Sequence, residues 1–189
     1  MTNKKIILAS NSPRRKELLA GLGLPFEVHV MKDIDESYPS DLPVADVALY
    51  IAGKKADAYR ATLSSDELVI TADTVVIVGD EILGKPVDEA DAERMLRLIS
   101  GRTHQVTTGV CMLTTTSQRR FAVTTDVTFK ELSDDEIHYY ITHYKPYDKA
   151  GAYGIQEWIG YVGVTCLHGS YYNVMGLPVQ RIYEALREL

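Results

Sequence analysis

Short apolar runs separated by polar punctuation dominate the chain, and their lengths predict alternating strands and helices. Residues 5–9, KIILA, form a run too short for a helix and read as a buried strand. Ser12 is a good N-cap and Pro13 suits the first helical position, so a helix follows. Leu18, Leu19 and Leu22 give it one apolar face and Gly23 a stop. Residues 26–30 predict a second strand, and the acidic, polar residues 33–43 a loop. A helix over 44–61 places Val47, Ile51 and Ala58 on one face. Residues 68–71 and 75–78 read as strands, with Gly79-Asp80-Glu81 as a hairpin turn. Residues 88–99 predict a helix capped by Asp88, with Met95, Leu96 and Ile99 inward and Gly101 at its end. Two longer strands, 105–114 and 119–132, flank a polar turn near TTSQ. Ser133 and Glu136 have the spacing of a capping box, and Pro146 limits the helix they start. Residues 147–156, YDKAGAYGIQ, are a glycine-rich loop. WIGYVGVTCLHGS holds one more strand, and residues 177–189 a closing helix. Hairpins mixed with strand–helix alternation predict an α/β fold with a mixed sheet and flanking helices, not a purely doubly wound one.

Length and charge narrow the picture. The 189 residues suit a single domain over 1–189, and 46% hydrophobic content suits an ordinary core. A net charge of −6 argues against a general nucleic-acid binder, which needs a basic face. A small anionic ligand stays open, because a local cationic cluster can oppose the global sign. Cys111 and Cys166 form no C-x-x-C pair and read as two reduced, buried thiols. No apolar run has the length of a signal peptide or a membrane span, so the expectation is a soluble cytoplasmic protein.

Two features break local rules. Arg14 and Arg15 occupy the first turn of the first helix, where the dipole disfavours cations. One reading is an anion site, built from two guanidinium groups and the helix N-terminus; the other is an exposed basic pair at a turn. Asp73 stands inside ITADTVVIV, where an unpaired carboxylate costs several kcal/mol if buried. It is either a carboxylate bonded to backbone N–H groups, or a metal ligand or general base. Lys85, between Gly84 and Pro86, is not in a Walker loop, and a lone loop lysine is ordinarily solvated. The same holds for Lys54 and Lys55 in the second helix. Gln156, in a loop whose glycines admit a ligand closely, carries the donor and acceptor needed to read a base edge. The five histidines show no metal-ligand spacing, and no G-x-S-x-G elbow occurs.

At these residues the sequence resembles the Maf family of nucleotide pyrophosphatases. The resemblance rests on LASNSPRRKELL, TADTVV, LGKP, LISGRTHQVTTGV, DKAGAYGIQ and GSYYNVMGLPV, in that order, from residue 6 to about 183. The GAYGIQ form is similar to the subgroup acting on dTTP and UTP, rather than the one preferring methylated guanosine nucleotides. The resemblance implies a mixed, curved sheet with two lobes around a cleft, similar to inosine triphosphate pyrophosphatases. It implies hydrolysis of a nucleoside triphosphate to the monophosphate and pyrophosphate with Mg2+ or Mn2+, by a homodimer; from charge and hydropathy, neither nucleic acid nor membrane is expected as a partner.

Carried over by position, the resemblance makes Asp73 the proton acceptor, with Lys85 and Lys55 as catalytic cations. It gives Ser10, Arg14 and Arg15 to substrate binding and Asp73 with Glu36 to the metal. Arg15, Thr74 and Gln156 fall where the family selects substrate. One motif departs: an EPLDKAG form is expected, and KPYDKAG stands here, with Lys145 in place of an acid. The rival readings are a nucleotide-sensing regulatory protein acting in septum formation, and an enzyme that clears modified purine nucleotides.

Overall fold

The apolar run Lys5–Leu8 is strand β1, with Ile6, Ile7 and Leu8 buried. It pairs in parallel on both sides, with β2 (Phe26–Val28) and β3 (Glu67–Val78). The structure, a computed structural model, describes residues 3–189. β3 turns at Gly79, where φ is +60°, into the antiparallel β4 (Glu81–Leu83). Two long strands follow, β5 (Thr103–Leu113) and β6 (Gln118–Phe129). Their side chains pair Thr103 with Thr128 and Thr107 with Thr124, the opposed sense of an antiparallel hairpin. β7 (Val164–His168) lies antiparallel to β6. The seven strands run β2-β1-β3-β5-β6-β7, with β4 on β3, so the mixed sheet expected from the sequence is the one found. No helix of the described residues is long and apolar enough to cross a membrane.

The chain divides into two compact units. The first runs to Asp73 and takes in Thr108–Val123 and Gly176–Leu189; the second is Thr74–Thr107 and Thr124–Met175. In the first unit lie α1 (Pro13–Ala20), α2 (Val44–Ala58) and α7 (Val179–Arg187). Helix α2 turns Val47, Ala48, Ile51, Ala52 and Ala56 inward. Ala52 and Ala56 pack with Cys111 and Leu113 of β5. Gly109 explains how close they come: a Cβ there would lie 2.4 Å from the backbone of Ala48, so only glycine admits the helix.

The second unit has a core of its own. It joins Met95, Leu96 and Ile99 of α3 (Glu89–Ile99) with Ile137, Tyr140 and Ile141 of α4 (Asp134–Tyr144), and with Val76, Phe129 and Tyr153. Both caps read from the sequence in this unit are made. Asp88 accepts from the Asp91 N–H at 2.8 Å, and Ser133 and Glu136 form the full reciprocal box.

Several expectations change. Residues 68–71 and 75–78 are one unbroken strand, because Asp73 finds a side-chain partner and the ladder continues through it. Helix α2 stops at Ala58, which is exposed; Val47 and Ile51 are buried as expected, and Ala52 and Ala56 continue that face. WIGYVG is the short helix α5 (Trp158–Gly163), and only the residues after it form the strand. Another short helix, α6 (Tyr171–Met175), follows. Cys166 is exposed and only Cys111 is buried, because β7 is an edge strand of the path and Cys166 lies on it; both thiols are free.

His104 on β5 is fixed in the second core. Its Nε2 bonds the Tyr153 hydroxyl at 2.7 Å, its ring packs edge-on to Tyr153, and its Nδ1 is buried with no partner. Burial pushes its pKa down to about 4. The unfolded chain, at about 6.5, therefore binds this proton first as pH falls. The neutral ring's contribution is complete above pH 6.5 and is lost toward pH 4, about 2–3 kcal/mol by linkage. Denaturant unfolding at pH 7 and pH 4.5 checks this: the stability gap between wild type and His104→Leu should narrow at the lower pH. A gap independent of pH would contradict it.

Candidate active site

Asp73 stands on β3 beyond the point where β1 leaves it. The last β1–β3 pair is Leu8 with Ile70, and Ala9 N–H closes on the Ile70 carbonyl. Asp73 is three residues on, about 10 Å along the strand. Sites of parallel strands form outside their carboxyl ends, and β1 opens there into Ser10, Ser12 and α1. An acid in an apolar run needs a partner. Lys55, in the last turn of α2, supplies it: its Nζ lies 2.7 Å from Asp73 Oδ1, and both side chains are about 15% exposed. The same ammonium lies 3.1 Å from Glu36 Oε1, and Glu36 is largely exposed.

The loop carrying Glu36 is held by the neighbouring lysine. Lys54 Nζ bonds Asp35 Oδ2 at 2.7 Å and the Ser37 carbonyl at 2.9 Å. The Lys54 bond, with those that the Ser37 hydroxyl and N–H donate to it, keeps the Asp35 carboxyl well below its usual range. Adjacent lysines on α2 thus grip adjacent parts of one acidic loop. The sequence signal for this was Lys54-Lys55 facing the acidic run 33–36. Read alone, each lysine passes for a solvated one.

Helix α1 is capped as expected, the Ser12 hydroxyl accepting from Arg15 N–H at 3.4 Å, and its first turn holds no acid. Ser10 is buried, and its Oγ accepts from the Ser12 N–H at 3.2 Å. Arg15 bonds backbone carbonyls. Its Nε donates to the Gly176 carbonyl and its Nη1 to the Ala72 carbonyl, both at 2.8 Å. The guanidinium thereby ties α1 to the strand residue before Asp73 and to the turn before α7. Burial lowers the Arg15 pKa; the charges of Asp73 and Glu36 favour its cation, and Arg14 opposes it. Glu36, Lys55, Asp73, Arg14 and Arg15 therefore form one electrostatic cluster within the first unit. With no acid in that first turn and two guanidinium groups, it suits an anion.

Thr74, Lys85 and Gln156 belong to the second unit. Thr74 follows Asp73 on β3 and is partly buried. Lys85 is exposed, between buried Pro86 and Gly84, whose carbonyl accepts the Gly151 N–H at 3.0 Å. That bond joins the KP loop to the DKAGAYG loop. Gly151 has φ +70°, and a Cβ on it would press within 3.0 Å of Val76. Gln156 is partly buried, and its Oε1 is buried with no donor.

Lys149, unassigned from the sequence beyond its motif, is buried and paired. Its Nζ lies 2.7 Å from Asp148 Oδ1 and 3.0 Å from Glu157 Oε1. The other Glu157 oxygen accepts from the Tyr140 hydroxyl, which accepts the Gly154 N–H at 3.0 Å. Burial, then the bond to Glu157, pushes the Tyr140 phenol up, so it remains a donor. Lys145, at the place where an acid was expected, is exposed at the left-handed end of α4.

Asp73 and Glu36 offer oxygen donors suited to a hard divalent cation. Among the described residues no three His, Cys, Asp or Glu side chains form a set that holds a metal unaided. Mg2+ sites built from one or two carboxylates plus substrate phosphates fit such a pair.

Comparison with known proteins places the chain among its relatives. The family model "Maf-like protein" matches residues 5–189. The dTTP/UTP pyrophosphatase of Phocaeicola vulgatus is 60% identical over 185 residues, covering 98% of this chain and 96% of the relative. The enzymes of the same name from Parabacteroides distasonis and Flavobacterium johnsoniae are 55% and 48% identical, over 97% and 98% of this chain and 95% of each relative. The Ham1 protein structures from Staphylococcus aureus and Coxiella burnetii superpose with TM-scores of 0.52 at 17% and 14% identity. They cover 98% of this chain and 98% and 100% of theirs, a likeness of fold.

Arg15→Lys tests the anchoring role. A single ammonium cannot reproduce the two directed bonds to Ala72 and Gly176. The variant should unfold about 1–3 kcal/mol more easily in denaturant. An unchanged midpoint and slope would mean that these bonds do not hold α1.

Proposed function

We propose that this chain, which belongs to the Maf family, hydrolyses dTTP and UTP to the monophosphate and pyrophosphate. Relatives at 48–60% identity over nearly the whole chain carry that name. The observation that carries the reading is the Asp73 carboxylate set in a strand beside Lys55 and Glu36, with the cationic start of α1 in the same unit. That arrangement suits an anionic substrate and a positioned base.

Lys55 occupies Asp73 Oδ1, and the other carboxylate oxygen takes a proton from the attacking water. The oxygen bonds to the α-phosphorus, the bond from that phosphorus to the β-phosphate bridging oxygen breaks, and pyrophosphate leaves with the electron pair. Ser10 and Arg14, with the first turn of α1, hold the phosphate oxygens, and Arg15 fixes that turn while adding its charge. A divalent cation, Mg2+ or Mn2+, would be held by Asp73, Glu36 and phosphate oxygens, and would supply Lewis-acid stabilisation of charge on those oxygens.

The roles given by resemblance to Lys85, charge on the phosphates, and to Thr74 and Gln156, choice of base, are part of the same proposal. Gln156 has an observation of its own. Its Oε1 is a buried acceptor without a donor. The N3–H of uracil and thymine is a donor, and the N3 of cytosine is not. A site that bonds a substrate N–H rejects the analogue lacking it strongly. Neither the relatives' names nor the cluster around Asp73 favours a regulatory role in septum formation. The two free thiols are in keeping with a reducing compartment, and a cytoplasmic location and a homodimer complete the proposal.

Pyrophosphate release with Mg2+ across dTTP, UTP, CTP, GTP and ITP is the test. Values of kcat/KM for dTTP and UTP should exceed that for CTP by about 100-fold or more. Equal turnover of all five would overturn the pyrimidine reading. Tight binding without release would overturn the enzyme.

A further inference from the structure

The mechanism above uses Gln156 and leaves unexplained why a lysine, a glutamate and a tyrosine converge beneath it. Lys149 is buried, Tyr140 is fully buried, and Glu157 is mostly covered. Burying an ion pair gains little by itself, since desolvation offsets the attraction. Such a group earns notice when it fixes one arrangement of the chain around it.

Here the arrangement is the turn 154–157. The Glu157 N–H closes it on the Gly154 carbonyl at 3.0 Å. From beneath, the Tyr140 hydroxyl takes the Gly154 N–H at 3.0 Å and donates to one oxygen of Glu157. The other oxygen of Glu157 holds Lys149 at 3.0 Å. Both ends of the turn are thus tied to one phenol, and that phenol is carried by α4. Gly154 completes the seat: a Cβ there would stand 3.1 Å from Glu157 Cδ, 3.1 Å from Lys149 Cε and 3.2 Å from Gln156 Nε2. The Gln156 amide therefore lies against the glycine, in a slot walled by the lysine and the glutamate. A side-chain amide on an exposed loop turns freely about its last torsions. This one is held with its Oε1 buried and undonated.

We propose that Tyr140 and Glu157, with Lys149 and Gly154, are positioning residues that fix the Gln156 amide for recognition of a pyrimidine N–H. They set base selectivity without touching the substrate. The inference rests on the proposed dTTP/UTP specificity, and it adds the residues that make Gln156 selective.

Tyr140→Phe and Glu157→Gln are the variants. The first removes only the hydroxyl; the second keeps an acceptor for Tyr140 and removes the charge that faces Lys149. Each is compared with wild type for kcat/KM on UTP and CTP, for thermal midpoint, and for hydrogen exchange at the Gly154 amide. Gln156→Ala and the double variant Gln156→Ala/Tyr140→Phe complete the set. The expected result has three parts. Tyr140→Phe speeds Gly154 exchange and lowers the UTP-over-CTP ratio about tenfold, through KM for UTP, with CTP turnover little changed. Glu157→Gln gives a smaller fall in the ratio. In the Gln156→Ala background, Tyr140→Phe lowers the ratio no further.

Equal losses on UTP and CTP would overturn the inference and leave these residues a structural role alone, as would an unchanged ratio despite faster Gly154 exchange. An independent further loss in the double variant would also overturn it. A wild-type enzyme without pyrimidine preference would instead bring down the specificity reading, and this inference with it.

Discussion

An aspartate inside the strand Glu67–Val78 requires a cation, and Lys55 supplies it at 2.7 Å. The rest of the first unit is arranged around that contact. Lys55 arrives because α2 lies flush on β5, and α2 lies flush because position 109 has no side chain. Glu36 arrives because Lys54, one residue earlier on the helix, grips Asp35 and Ser37. Arg15 then binds the carbonyl of Ala72, next to Asp73, and links the cationic helix start to the strand that carries the acid. Stability alone does not account for this. An apolar residue at 73 would pack in the strand without a partner, so the carboxylate is retained at a cost that suits a functional group.

The second unit follows the same logic with different parts. Lys149 and Glu157 are largely covered, and their contact holds a loop instead of a reacting group. Tyr140 extends it to the backbone of Gly154. In both units a lysine amino group satisfies two carboxylates, at Asp73 and Glu36 in one and at Asp148 and Glu157 in the other. The first pair gives an acid its setting. The second gives the loop bearing Gln156 a fixed course.

Local signals carried most of the fold. Ser12 with Pro13, Asp88, and Ser133 with Glu136 are caps whose chemistry is complete within four residues, and each was legible. So was the sheet class, from the mixture of hairpins and strand–helix alternation. What failed needed distant partners. The strand around Asp73 looked broken because its cation lies 18 residues away on another element. The strand read within WIGYVGVTCLHGS is present, but the helix WIGYVG before it went unread, because its β-branched and aromatic residues favour a strand. Phe129 and Leu132 lie within 3.0 and 3.3 Å of a Cβ built on Gly163, a close approach that no short pattern encodes. In the site, residue types and motif order named Asp73, Glu36, Lys55 and both arginines. They did not disclose that Arg15 spends two donors on backbone carbonyls, or that Glu157 and Tyr140 stand behind Gln156. Those are geometric facts between residues 17 to 161 positions apart.

The central claim is that the carboxylate at 73 is present for chemistry and that Lys55 makes it tolerable in a strand. Asp73→Asn tests it most directly, with denaturant unfolding and UTP turnover measured on the same preparation. Lys55 keeps Glu36 in the variant, so the account predicts a folded protein within about 2 kcal/mol of wild type. It also predicts a fall in kcat of about 100-fold or more. Turnover near the wild-type rate in a folded Asp73→Asn protein would contradict it.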